Sequence, residues 1–452
     1  MNDYLFLALI FLGWLCFAGA VQPAHSASPD EVYETRLANG LRVLLNPQKQ
    51  APIVSVQVWY NVGARDESSG KSGLAHLTEH LMFRGTRKVG PKQYARIIQK
   101  NGGQNNAFTS RDYTVYYENM APDRVKIALE LEADRMTGLS VSEDLFQTER
   151  KVVQEERRLR VKDDPTASLF EEVLAAAFKS HPYKHPVTGW MEDLDRLTLA
   201  DFLSFYRTYY SPDQVTLIIT GRFDKESLLP FIEKTFGPIP GRKAALPLAI
   251  EEPPQEAEKR VVLQRAEARL PYVILAFHVP SFSHPDAFAL KVMAQIMGRG
   301  KSSRLYEKLV YREQKALAAG TGYSFDSRDP FLFFLYAQAM PGTTPEETEQ
   351  ALLQELALWE KNPPTEDEIK RAQNQIEAEF IFSQDSVFNQ GMMLGKFQGL
   401  GGWKGRDAFI PGIRSVGAGD LLRVYERYFK GKSKTTGLLI PILKDQAKPP
   451  SL

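Results

Sequence analysis

Asp201-Phe202-Leu203-Ser204-Phe205-Tyr206-Arg207-Thr208-Tyr209-Tyr210 returns as Asp420-Leu421-Leu422-Arg423-Val424-Tyr425-Glu426-Arg427-Tyr428-Phe429, a shift of 219 from position 201 to position 420. Each copy opens on an aspartate and repeats apolar and aromatic residues at helical spacing, so one helix is used twice and the chain reads as a tandem duplication. Each half opens with strands and then passes into helices. The strand signals are Val43-Leu44-Leu45 and Val54-Ser55-Val56-Gln57-Val58-Trp59 in the first half and Tyr272-Val273-Ile274-Leu275-Ala276-Phe277 in the second. Between them the stretch from Gly237-Pro238-Ile239-Pro240 to Glu252-Pro253-Pro254 is rich in proline and reads as a linker. The expected domains are 30–240 and 259–445, with a linker over 241–258.

Composition agrees with two domains. At 452 residues the chain exceeds one comfortable core, and 43% hydrophobic with 25% charged residues is ordinary for a globular protein. The formal charge of +1 argues against a nucleic-acid or polyanion partner. Leu5 to Ala20 is an apolar run followed by small residues at Ala18-Gly19-Ala20 and Ala24-His25-Ser26, and 1–26 reads as a secretory signal peptide. Asp3 stands where basic residues are usual, so an uncleaved membrane anchor is the alternative. The sole cysteine, Cys16, lies in this segment. Cleavage would leave a thiol-free chain suited to a periplasm or the exterior.

Within the first half, His76-Leu77-Thr78-Glu79-His80 carries the chemistry. At 100° per residue His76, Glu79 and His80 share one side of a helix, and Leu74, Leu77 and Leu81 the other. Ser72 or Gly73 is expected to cap its start and Gly85 to punctuate its end. Two neutral imidazoles one turn apart reach a single Zn²⁺, with the carboxylate between them as general base, in the H-x-x-E-H order. Catalytic zinc needs a third protein ligand. The candidate is in Glu149-Arg150-Lys151-Val152-Val153-Gln154-Glu155-Glu156, where Glu149 and Glu156 share a helix face and Glu155 is rotated away. Ser142 with Glu143 and Asp144 marks that helix's start, and Pro165 lies beyond its end. From composition alone the same run reads equally as a solvated surface.

Together these residues resemble the pitrilysin, insulinase and mitochondrial-processing-peptidase group of zinc metallopeptidases, whose motif is H-x-x-E-H followed by a distant glutamate in an E-R-x-V-x-x-E-E run. The resemblance covers nearly the whole mature chain. It implies an α+β fold of two tandem homologous α/β-sandwich domains forming half of a clamshell chamber, with one Zn²⁺ per chain. It implies His76, His80 and Glu156 as ligands, Glu79 as general base and Glu149 as a carboxylate orienting a ligand histidine. Gly102 to Thr109 resembles the family's edge strand, with Asn106 and Ala107 pairing with substrate backbone.

Aligning Leu81-Met82 with Ile296-Met297, a shift of 215, puts Lys291, Ala294 and Gln295 opposite His76, Glu79 and His80, so the second half has lost the metal site. The family's second half supplies an arginine and, seven residues later, a tyrosine near the scissile bond. Arg312 matches the arginine as a substrate contact, but position 319 is alanine. Three readings follow: a partner chain of the same family supplies Arg and Tyr within a hetero- or homo-oligomer, Tyr323 substitutes in cis, or the protein binds zinc and serves as a periplasmic peptide-binding or assembly factor with weak or no activity. Substrates under the first two readings are peptides or unfolded polypeptides. His181-Pro182-Tyr183-Lys184-His185-Pro186 reads as a loop, because its prolines prevent the helix that would pair the histidines. His278 and His284 read as structural or exposed. Gly391, Gly395, Gly399, Gly401 and Gly402 match no phosphate loop and read as close-packing or chain-reversal positions.

Overall fold

The computed structural model describes residues 32–49, 51–242 and 250–442. The apolar N-terminal run, Cys16 and part of the expected linker lie outside the described residues.

The first sheet contains β1 (Tyr33–Arg36), β2 (Arg42–Pro47), β3 (Val54–Tyr60), β4 (Gln104–Thr109), β5 (Thr114–Met120) and β6 (Val215–Gly221), in the order β1-β2-β6-β3-β5-β4. The second contains β7 (Lys259–Arg265), β8 (Tyr272–Val279), β9 (Ala316–Tyr323), β10 (Phe331–Ala339) and β11 (Thr435–Pro441), in the order β7-β11-β8-β10-β9. Without β1 the two orders coincide. β2 pairs parallel with β6 and β7 parallel with β11, and the other neighbours are antiparallel. Two sheets of the same unusual mixed topology in one chain are the structural form of the repeat.

The repeated helices are Leu199–Tyr209 and Ala418–Tyr428. The opening aspartate of each repeat caps its helix: Asp201 accepts from the Thr198 N–H and Asp420 from the Gly417 N–H, both at 3.0 Å.

Both sheets are covered on two faces, which explains strands as apolar as β3. Val54, Val56 and Val58 enter the first half's own core, while Trp59 turns the other way. That outer face is covered by the helix Val387–Gly399, which belongs to the second half. Its glycines make the approach possible: a Cβ on Gly395 would stand 2.0 Å from Trp59 Cε2, and one on Gly391 2.6 Å from Gln57 Nε2. Gln57 Nε2 donates to the Phe388 carbonyl at 2.8 Å. Reciprocally, the first half's helix Pro165–Ala177 lies on the second sheet, where Leu169, Val173 and Leu174 pack with Ile274, Leu332 and Leu439. A Cβ on Gly437 of β11 would stand 2.3 Å from Val173 Cγ2. Each half therefore lends one helix to the other's sheet, and the glycine-rich stretch is a packing device at Gly391 and Gly395.

Candidate metal centre

The helix Leu74–Leu81 is set against β4 and the helices Glu143–Arg157 and Leu199–Tyr209, with Leu77 and Leu81 fully buried. Gly73, one of the two residues expected at its start, is its N-cap, but the hydrogen-bond acceptors come from another residue. The Gly73 and Ala75 N–H groups donate to the Glu67 carboxylate at 2.9 and 2.7 Å, while the Ser72 hydroxyl donates to Asp193 at 2.6 Å. Gly73 sits at φ 88°, and a Cβ there would come within 2.8 Å of the Thr188 carbonyl. The close approach of that loop needs a glycine, which leaves no side chain at the cap position itself. Glu67, remote in sequence from the end it serves, supplies the acceptors and the negative charge that a helix N-terminus favours.

From this platform His76 and His80 face Glu156 on the helix Glu143–Arg157, and one ligand atom from each of the three lies within 4.8 Å of the other two. His80 Nε2 is 3.2 Å and His76 Nε2 3.9 Å from the same Glu156 oxygen. Zinc bonds of about 2.0 to 2.2 Å in a tetrahedron separate ligand atoms by about 3.3 to 3.6 Å, so the spacing fits one ion. Burial, with smaller contributions from His80 and Arg160, pushes His76 down to about 3; its imidazole is neutral, as a ligand must be. His76 Nδ1 and Glu149 Oε2 are buried without a hydrogen-bond partner, an arrangement costly for a purely structural cluster. The residues present fit a zinc ion.

Around the three donors, Glu149 Oε2 lies 3.7 Å from His80 Nδ1 and Arg84 Nε 2.8 Å from the other Glu149 oxygen. Arg160 pairs with Glu156 at 3.0 Å from the π-helical turn Arg158–Lys162. Glu79 accepts a 2.6 Å hydrogen bond from the Thr109 hydroxyl at the end of β4. Burial raises Glu79 above the usual carboxylate range, opposed first by that hydrogen bond. Arg84, Thr109 and Arg160 carry no motif signal; only the fold brings them here.

Among the described residues, strand β4 lies at the edge of its sheet and pairs only with β5, with Asn106 opposite Tyr117 and Ala107 opposite Tyr116. The Ala107 N–H donates to Asn106 Oδ1 at 2.9 Å. Among the described residues no ion pair or hydrogen bond brings Arg312 to the cluster: it is exposed on the π-helical segment Tyr306–Arg312 and pairs with Glu307 at 2.9 Å. Ala319 sits in β9 opposite Ala337. Tyr323 is buried in the second half and its hydroxyl donates to the Pro280 carbonyl at 2.7 Å, so its phenol is already engaged. His181 faces Asp329 at 3.1 Å, linking the halves, and His185 accepts from the Trp190 indole. His278 contacts the Ala177 carbonyl.

The family described as Insulinase (Peptidase family M16) matches residues 42–189, and the one described as Peptidase M16 inactive domain matches 196–376. The chain is 29% identical to the zinc protease PqqE of Helicobacter pylori over 96% of each chain. It is 32% identical to an uncharacterised zinc protease of Mycobacterium leprae, covering 69% of this chain and 70% of that one. A crystal structure of a protease from Helicobacter pylori superposes with a TM-score of 0.87 at 30% identity, over 91% of this chain and all of the other. The periplasmic protease PqqL of Escherichia coli shares the fold at a TM-score of 0.76 and 17% identity, over 94% of this chain and 50% of that one. With one half matching the insulinase domain, the other the inactive domain, and relatives named zinc proteases, this chain belongs to the M16 peptidase family.

Proposed function

We propose that the chain is a zinc-dependent metalloendopeptidase that hydrolyses peptides or unfolded polypeptides, completed by a second M16-like chain. The observation that carries this reading is the intact base beside an intact ligand set: Glu79 lies one residue from His80 on the helix that also carries His76. A structural zinc site has no need of that carboxylate.

His76, His80 and Glu156 would hold the ion. Bound zinc lowers the pKa of its water to near neutrality and polarises a carbonyl oxygen. Glu79 takes the proton of the attacking water on its carboxylate and returns it to the leaving amide nitrogen. Thr109 orients Glu79 through its 2.6 Å hydrogen bond. An extended peptide added along the free edge of β4 would run past Thr109, which ties substrate alignment to placement of the base. Glu149, itself paired with Arg84, holds His80, and Arg160 holds Glu156, in a fixed charged frame.

The need for a partner rests on Ala319. A donor aimed at the developing oxyanion is worth about 3 to 4 kcal/mol, and Tyr323 has its hydroxyl committed to Pro280. A second M16-like chain carrying the Arg and Tyr supplies the tyrosine this one lacks. The fold of PqqL, twice this chain's extent, supports pairing of two such units. The apolar run Leu5–Ala20 supports export to the periplasm or exterior. The same Ala319 favours the second reading, a zinc-binding peptide-handling protein of little activity.

Hydrolysis of a quenched fluorescent peptide library separates these. The zinc-loaded chain mixed with a sister chain carrying Arg and Tyr should cleave, and chelation should abolish cleavage. Zinc binding without cleavage in either arrangement would favour the non-catalytic reading.

A further inference from the structure

The second half keeps a cavity where the first half has its metal centre. Glu156 lies fourteen residues after the capping Ser142, and Glu379 fourteen residues after the capping Thr365 of the corresponding helix Glu366–Phe382. Lys291, opposite His76 in the sequence repeat, lines the same cavity of about 510 Å³ as Glu379, within the size range of ligand pockets. The cavity's apolar wall comes from Phe380, Met393, Phe397 and Phe409.

Its charges do not balance. Lys396 is paired with Asp326 at 2.8 Å. Lys291 and Arg299 have no ion pair or side-chain hydrogen bond among the described residues and face only Glu379 as a further carboxylate. One positive charge is left over. Burial holds Lys291 below the ordinary lysine value, assisted by Arg299 and Lys396 and opposed by Asp326 and Glu379. A lysine so placed gains from an arriving anion what water no longer supplies.

We infer that this cavity binds a carboxylate carried on an apolar body, with Lys291 and Arg299 taking the carboxylate and the aromatic wall taking the body. A peptide C-terminus ending in a large apolar residue fits that chemistry, and a free amphipathic acid is the other source. The choice of the peptide rests on the proposed peptidase reading; the carboxylate site does not.

The test is fluorescence anisotropy of a labelled hexapeptide ending in Leu-Phe, as the free acid and as the C-terminal amide, on the full chain and three variants. The acid should bind at least tenfold more tightly than the amide. That preference should survive in His80→Ala, which removes the metal site, vanish in Lys291→Met, and shrink several-fold in Arg299→Gln, whose exposed position keeps folding safe. Displacement by decanoate as readily as by unlabelled peptide acid would assign the site to free amphipathic acids; displacement by the peptide acid alone would assign it to peptide ends. Equal binding of acid and amide overturns the inference, as does a preference lost in His80→Ala and kept in both Lys291→Met and Arg299→Gln. Because binding is read without turnover, failure of the peptidase reading would leave this result standing.

Discussion

The two halves share strand order, parallel closing pair and lent helix, yet at the same place one gathers two imidazoles and a carboxylate and the other a lysine and a carboxylate. Replacing His76 by lysine at the equivalent position exchanges a neutral ligand for a resident cation, which repels a metal and attracts an anion. A duplicated scaffold can thus keep its backbone and reverse the sign of what it binds, because the backbone is set by packing and the sign by a few side chains.

The largest expected asymmetry is in the metal. His80→Ala should lose stoichiometric zinc and lower kcat/KM by roughly a thousandfold or more, whereas Lys291→Met should leave one zinc per chain; metal analysis of both variants checks this. Equal zinc loss in both would make the halves jointly responsible for the site. Next comes the exchange of helices. Gly395→Val and Gly437→Val should each destabilise by about 3 kcal/mol, since each would force a side chain into one of the lent-helix contacts. Denaturant midpoints would show it, and a large cost in only one variant would mean that one lent helix matters more. The edge strands give a smaller contrast. Thr109→Val removes the hydrogen bond to Glu79 and should lower kcat about tenfold with little change in stability. Tyr323→Phe removes the bond to Pro280 and should cost about 1 kcal/mol of stability with kcat unchanged.

The smallest effect is in acid. Arg304 bonds both oxygens of Glu368 at 2.8 and 2.9 Å and pulls it down to about 2. Because its folded value lies below its unfolded one, Glu368 stabilises the second half above about pH 4.5, and the contribution is lost as pH falls from there toward 2. Leu145 occupies the corresponding cap position in the first half, where no such pair forms. Glu368→Gln should lower stability at neutral pH by about 1 kcal/mol after solvent screening, with the difference from wild type disappearing near pH 2 in a thermal-unfolding series.

The repeat and the H-x-x-E-H helix were legible because both are local patterns of period 3.6, whereas spacing put Glu149 and Glu156 on one helix face without choosing between them, and the family resemblance singled out Glu156. The glycine-rich stretch was legible as a place of close packing or chain reversal, but the lent helices were not: only the fold sets Gln57 and Trp59 against Gly391 and Gly395, and nothing in the sequence marks Gly437 for Val173. Glu67 escaped because it caps through a folded loop, Ser72 being already committed to Asp193. Lys291 read as a loss, since Glu379 aligns only with a shift of 223, from 156 to 379, while Lys291 aligns with 215, from 76 to 291. Loop lengths between the elements differ in the two halves, and only the fold restores the juxtaposition.

One measurement bears most directly on the metal centre: zinc content and peptide hydrolysis of Glu79→Gln beside the wild-type chain, each with a sister chain that makes the wild type active. Stoichiometric zinc with turnover reduced by at least about a thousandfold is the predicted result. Undiminished hydrolysis would contradict the role of Glu79, and loss of zinc with loss of activity would make Glu79 part of the metal site rather than its base.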